Sequence, residues 1–306
     1  MVSFYGYRFY APEIGRWPSR DPIEESGGSN INLFSRNSPV DYFDYLGLAT
    51  TVEQLPDILN GPKSKYNYQI AGRFMRRFLD NPAAQWETTT PDTNSITIDM
   101  LLKHSGAQRD YDRIFDEKLY TDERAKGVIL AIINNGVGVN MRFGPVTPLL
   151  AGNYPEKFMV HNSGSIALTK TYGAYGGDGG PIAAALGQFD WRVAVSGVRK
   201  SDESNKVCVA IDQVHIWMRD AYEFDGVDSD PNQYLGHWDA AKNSFWSIGS
   251  YSGDATIIRN KSFLDYTART GKGEEFAIFS EVRTVVLPTP VIIYIPFDYK
   301  APPSKK

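Results

Sequence analysis

The stretch WRVAVSGVRKSDESNKVCVAIDQVHIWM, Trp191 to Met218, carries the clearest periodic signal in the chain. Trp191, Val193 and Val195 alternate with Arg192, Ala194 and Ser196, the period-2 pattern of a strand with two unlike faces. Ser201 to Asn205 is a polar turn. Val207, Val209 and Ile211 resume the alternation, and Val214 to Met218 continues it. A strand pair of this kind predicts antiparallel sheet, because neighbouring antiparallel strands need only a short turn between them.

Working outward, Phe276–Phe279, Thr284–Leu287 and Val291–Ile295 read as later strands. The Gly-rich segment Tyr172 to Pro181 reads as a loop. Upstream, the period changes from 2 to 3.6. From Tyr66 to Leu79, residues Ile70, Ala71, Phe74, Met75, Phe78 and Leu79 form one apolar stripe, and Arg73, Arg76 and Arg77 fall largely on the other side. Further helices are predicted over Ile98–His104 and Tyr111–Leu119. Another starts after Thr121, read as an N-cap with Asp122 and Glu123 in the first turn, and ends at Asn134-Asn135-Gly136. The expectation is an α+β chain with a helical subdomain over 49–136 and a mostly antiparallel β domain, sheet or half-barrel, over 137–300. The tail 301–306 is Pro/Lys-rich.

Composition narrows the function classes. The 306 residues carry 32 Lys plus Arg against 36 Asp plus Glu, a net charge of −4. That lacks the basic footprint of a nucleic-acid binder, so no stable DNA binding is expected. The single cysteine, Cys208, allows no internal disulfide and no C-x-x-C zinc site, and its β-branched surroundings mark it as a small core residue. No run reaches the roughly 18 apolar residues of a membrane span. The first residues, MVSFYGYRFY, do not form a standard secretory signal.

Residues 1–48 are a region apart, short of aliphatic residues and full of turn punctuation, with strand-like pieces at Ser3–Tyr10 and Ile31–Phe34. Here Tyr7-Arg8-Phe9-Tyr10, Pro12-x-x-Gly15-Arg16-Trp17, Ser19-Arg20-Asp21-Pro22-Ile23, Asn32-Leu33, Asn37-x-Pro39-Val40 and Asp44-Tyr45-Leu46-Gly47-Leu48 follow one another in order. This run resembles the end of the Rhs-repeat-associated core, the C-terminal plug of a β-cocoon built from YD repeats. The resemblance implies that Asp21 and Asp44 act together in aspartyl-type self-cleavage after Leu48. Two close carboxylates sharing a proton are suited to that chemistry. Two positions depart from the family pattern: Glu24 stands where it has Gly, and Tyr45 where it has Pro.

The resemblance further implies that the sequence beyond Leu48 is a polymorphic toxin, kept in check by a cognate immunity protein. It implies carriage within the Rhs shell by a contact-dependent machine of the type VI or Tc kind, into a competing or host cell and without a signal peptide.

The toxin chemistry is read from a polar constellation at the end of the second strand: Arg219-Asp220-Ala221-Tyr222-Glu223-Phe224-Asp225, followed by His237. Asp220, Tyr222, Asp225 and His237 are the catalytic candidates, with His237 as general base near neutral pH. Asp220, Glu223 and Asp225 supply the oxygen ligands that Mg²⁺ requires. Arg192 and Arg219 are the phosphate-binding candidates. The order Asp220-x-Tyr222-acid is similar to the catalytic domain of colicin M-type bacteriocins, which cleave the lipid-linked peptidoglycan precursor. That motif has Asp where Glu223 stands, and a His-Arg pair absent here. The resemblance implies a metal-dependent hydrolase of an envelope pyrophosphate ester. A cytosolic nuclease, a non-enzymatic membrane- or target-binding toxin and an inert tip stay open as alternatives. Among the other histidines, His215 alternates inside an apolar strand as a structural residue, His161 lies in a loop, and His104 closes a helix.

Overall fold

A long antiparallel hairpin organises the chain, as the alternation at 191–218 predicts. The computed structural model describes residues 3–4, 9–11, 13–14, 16–19, 50–60, 68–145, 154–164, 166–167, 180–224, 231–239, 244–246 and 256–300. In chain order the strands and helices are β1 (Ser3–Phe4), β2 (Phe9–Tyr10), α1 (Leu55–Asn60), α2 (Gln69–Asp80), α3 (Ile98–Leu101), α4 (Ser105–Asp116), α5 (Glu123–Asn134), β3 (Arg142–Phe143), β4 (Met159–Asn162), β5 (Ile166–Ala167), α6 (Gly180–Leu186), β6 (Gln188–Glu203), β7 (Lys206–Tyr222), β8 (Tyr234–Asp239), β9 (Ser244–Trp246), β10 (Thr256–Arg259), α7 (Asn260–Thr270), β11 (Phe276–Phe279) and β12 (Arg283–Pro296). The class is α+β, with a curled, antiparallel half-barrel sheet.

In that sheet β6 and β7 pair from Asp190↔Arg219 to Glu203↔Lys206. The free edge of β6 takes up β5, β4 and β3 in turn, all antiparallel, and that of β7 takes up β12 and β11. A second sheet runs β10-β8-β9. Chain packing resolves two compact units. One comprises 1–90, 169–187 and 221–276; the other comprises 91–168, 188–220 and 277–306.

Within the second unit, Trp191, Val193, Val195, Val207, Val209 and Ile211 are buried, as their alternation requires. The opposite face is also covered at mid-hairpin, where Ala194 and Ser196 are buried. Helix α4 is tied to this core through Trp191, whose indole N–H donates to the Ala107 carbonyl at 3.2 Å and whose ring meets Tyr111 edge-on. At Gly197 the backbones of β6 and β7 leave no room for a side chain: an added Cβ would sit 2.2 Å from the Ala210 carbonyl oxygen.

Within the first unit, α2 buries Ala71, Phe74, Met75, Phe78 and Leu79, the stripe legible in the sequence. Phe74 and Phe78 meet Tyr222, Phe78 meets Phe224, and Phe224 stacks on Phe263 at 4.0 Å between ring centroids. The basic face of α2 is substantially neutralised: Arg76 pairs with Asp57, and Arg77 pairs with Glu274 at 2.5 Å.

Four local expectations change. The N-cap of α5 is Asp122 and not Thr121, because the Asp122 carboxylate accepts from the Ala125 N–H at 2.8 Å while the Thr121 hydroxyl donates back to the Lys118 carbonyl. His104 opens α4 instead of closing α3, since α3 stops at Leu101. His161 lies on β4 instead of in a loop. Thr284–Leu287 and Val291–Ile295 form one strand, β12. Its register shifts between Val286 and Val291, which accommodates Pro288 and Pro290 without breaking the ladder to β7. Among the described residues no helix is long and apolar enough to cross a membrane.

Candidate functional site

The β6–β7 register sets the face on which the two phosphate-binding candidates lie. Arg192 stands opposite Trp217 and Asp190 opposite Arg219. Residues two apart share a face of a strand, so these four side chains share one. Asn162 of β4 stands opposite Arg192 from the other side. The turn at Glu156–Phe158, just before β4, supplies a carboxylate. Arg192 Nη1 donates to Glu156 Oε2 at 2.5 Å, and the buried Trp217 indole N–H donates to Glu156 Oε1 at 3.3 Å. Asp190 Oδ2 lies 3.8 Å from Arg192 Nη2 and accepts from Asn162 Nδ2 at 3.4 Å.

Two guanidinium groups are thereby concentrated on one face, and the electrostatics record it. Burial, and then the charge of Arg192, hold the Arg219 pKa below the ordinary arginine value. The two carboxylates fix Arg192 without exhausting its donors. Its Nε is buried and has no hydrogen-bond partner among the described residues. A buried donor in that state costs free energy until an acceptor reaches it. Planar guanidinium groups held this way are suited to phosphate or another oxyanion.

Close by in sequence, His161 Nδ1 lies 3.5 Å from Asp122 Oδ2. Burial raises the Asp122 pKa, but the hydrogen bonds from His161 and the Ala125 N–H outweigh it and hold the carboxyl low.

The other candidates are distributed as follows. Asp220 and Tyr222 stand two residues apart at the end of β7. The Tyr222 ring is stacked on Phe276, with centroids 5.2 Å apart, inside the aromatic cluster of the first unit. Glu223 directly follows β7. Asp225 lies outside the described residues, as do the self-cleavage candidates Asp21, Asp44 and Leu48. His237 lies on β8, where its Nδ1 shares a hydrogen bond with the Tyr234 hydroxyl. Among the described residues no group of three or more His, Cys, Asp or Glu is placed to hold a metal ion.

His215 sits between Ser196 Oγ, 2.7 Å from its Nε2, and Thr284 Oγ1, 2.9 Å from its Nδ1. A Ser–His contact invites a nucleophile reading. Ser196 and His215 are both buried and Ser196 Oγ also bonds to the Pro145 carbonyl, so this is a packing network.

Glu156, Asp190, Asn162 and Trp217 were not singled out by sequence reasoning. Asp190 and Trp217 were within reach of it, each two residues from a singled-out arginine. Glu156 and Asn162 arrive from a separate segment and carried no local signal.

A profile of DUF6402, a family of unknown function, matches residues 63–248. The chain is 38% identical over 74 residues to the Double-stranded DNA deaminase toxin A of Burkholderia cenocepacia (strain H111), covering 24% of this chain and 5% of that protein. It is 42% identical over 48 residues to the Toxin subunit YenC1 of Yersinia entomophaga, covering 16% of this chain and 5% of that protein. No solved structure matches.

Proposed function

This chain belongs to the DUF6402 family, whose function is unknown, and we propose that it is the effector region of an Rhs-type toxin whose target carries phosphate. The two toxin relatives support the general class, over short matches only. The ordered motifs from Tyr7 to Leu48 support the Rhs attachment, and with it delivery by a contact-dependent machine and a cognate immunity protein.

The observation that carries the phosphate reading is the Arg192–Arg219 face, with two clustered guanidinium groups and a buried unpaired N–H. We favour hydrolysis of a lipid-linked envelope precursor, the reading offered by the Asp220-x-Tyr222 pattern. Arg192 and Arg219 would hold the pyrophosphate oxygens and neutralise charge as it grows on the leaving group. Glu156 and Asp190 act as positioning residues that fix Arg192.

A cytosolic nucleic-acid target is the second reading, favoured by the similarity to the Burkholderia DNA deaminase toxin. Transfer of deaminase chemistry itself finds no support in the residues. The zinc deaminases use a Cys-x-x-Cys pair, and Cys208 is the single cysteine of this chain, buried in β7.

Compartment separates the two. The full chain is expressed in a sensitive bacterium, with and without a periplasmic signal, beside an Arg219→Gln variant. Lysis on export only, relieved by Arg219→Gln, is the expected outcome. Death confined to the cytosol, with loss of DNA or RNA, replaces the envelope reading by the nucleic-acid one. Equal killing by wild type and variant removes the arginine face from the mechanism.

A further inference from the structure

One edge of the main sheet is β12, which pairs with β7 on one side and with no described strand on the other. A single bond tells which of its backbone groups face the free side. The Phe297 N–H donates inward, to the Asn205 carbonyl at 3.2 Å. Backbone groups alternate in direction along an antiparallel strand. Val291, Ile293 and Ile295 therefore turn their N–H and C=O groups to β7, and Ile292 and Tyr294 turn theirs outward. The next outward positions on either side are Pro290 and Pro296, which have no N–H to offer.

The side chains along this edge are apolar on both faces. Ile292 and Tyr294 share the outer face and are 48% and 52% exposed. Their neighbours on β7, Ala210 and Cys208, are small and leave them uncovered. On the other face Ile295 is buried, and Val291 and Ile293 are half-buried. From Thr284 to Phe297 there is no charged side chain. Charged side chains commonly guard a free strand edge, and this one has only its prolines.

The spacing of those prolines says what fits. Pro290 and Pro296 stand symmetrically about Ile293. Lay a second copy of the strand antiparallel, with a two-fold axis at Ile293. Ile292 then stands opposite Tyr294 of the second copy, and Val291 opposite its Ile295. Both outward N–H groups of each copy meet outward carbonyls, and proline faces proline where neither has a donor. Sliding the pair by two residues either way sets Ile292 or Tyr294 against a proline and loses ladder bonds. No charged side chain lies on the seam, so self-pairing meets no like-charge repulsion.

We propose that this chain forms a two-fold dimer through the free edge of β12, with Val291–Ile295 of two copies joining their sheets into one. Ile292 and Tyr294 of the two copies cover one another on the outer face, as an aliphatic–aromatic cross-strand pair made twice. The contact is isologous, so it closes at two copies. The seam is short, so association depends on concentration.

The test is the mass of the full chain in solution, by light scattering and sedimentation over a series of concentrations. The mass is expected to rise from 34.2 kDa towards twice that value. Ile292→Lys with Tyr294→Lys sets like charges opposite each other twice and should weaken the dimer roughly tenfold. Ile292→Lys with Tyr294→Glu sets opposite charges at the same positions and should restore it, an outcome specific to this register. If the paired lysines disturb the fold by circular dichroism, Tyr294→Lys alone replaces them, with weakening again expected. A mass of 34.2 kDa at every concentration, growth beyond two copies, a dimer indifferent to the lysines, or no recovery on charge exchange would overturn the proposal. Toxicity plays no part in this readout, so the dimer and the effector reading stand or fall separately.

Discussion

His215 ties stability to pH more directly than any other residue described. With Ser196 donating to the Pro145 carbonyl, the imidazole Nε2–H donates to Ser196, and in the neutral ring Nδ1 accepts from the Thr284 hydroxyl. Burial, and then the Arg142 charge, push its pKa from 6.5 down to about 4. The unfolded chain thus binds a proton that the folded chain refuses. This contribution is fully present above pH 6.5 and is lost as pH falls towards 4, a difference of roughly 3 kcal/mol. Urea midpoints taken near pH 7 and pH 4.5 should fall steeply for the wild type and less for His215→Gln; equal slopes would assign the acid sensitivity to carboxylates instead. Gly197 gives a second prediction at this scale. A methyl group added here would run into the Ala210 carbonyl, so Gly197→Ala forces β6 and β7 apart. A loss of about 2–3 kcal/mol is expected in denaturant unfolding, and a midpoint unchanged from wild type would refute the close-approach argument.

Among elements, α5 offers the cleanest test. Asp122 caps its first turn and meets His161 of β4, so Asp122→Ala removes a cap and a side-chain contact together. About 1 kcal/mol should be lost, and Asp122→Asn, which keeps a capping oxygen, should recover part of it. The contrast between elements shows what was legible beforehand. The β6–β7 hairpin and α2 announced themselves because their apolar residues repeat with a fixed local period. Helix α7 did not. It follows directly on the β-branched run of β10, and Thr267 and Thr270 blur its helical pattern although Phe263 and Tyr266 are buried at helical spacing. The prolines of β12 argued for two strands because proline cannot donate to a ladder; the sheet accommodated them by a register shift. The site divides in the same way. Arg192 and Arg219 could be named as phosphate-binding candidates from their residue type alone. Glu156, 36 residues away from Arg192, became visible only once the chain was folded.

For the whole molecule, the matched family segment and the folded body differ in extent. The match ends at residue 248, yet β12 pairs along β7 from Lys206 to Ile216 and buries Ile295. A chain ending at residue 248 would leave that edge of β7 bare. It should lose the cooperative thermal transition of the full chain, and a sharp transition in the truncated protein would show that β12 is dispensable. The two units are also threaded: each draws on three separate stretches, and the chain passes from one to the other at 90, 168, 187, 220 and 276. Any crossover between residues 91 and 276 would join part of each unit to foreign sequence. Recombination can therefore move this fold only as an entire cassette, and chimaeras that inherit part of it should be purged before selection acts on what it does.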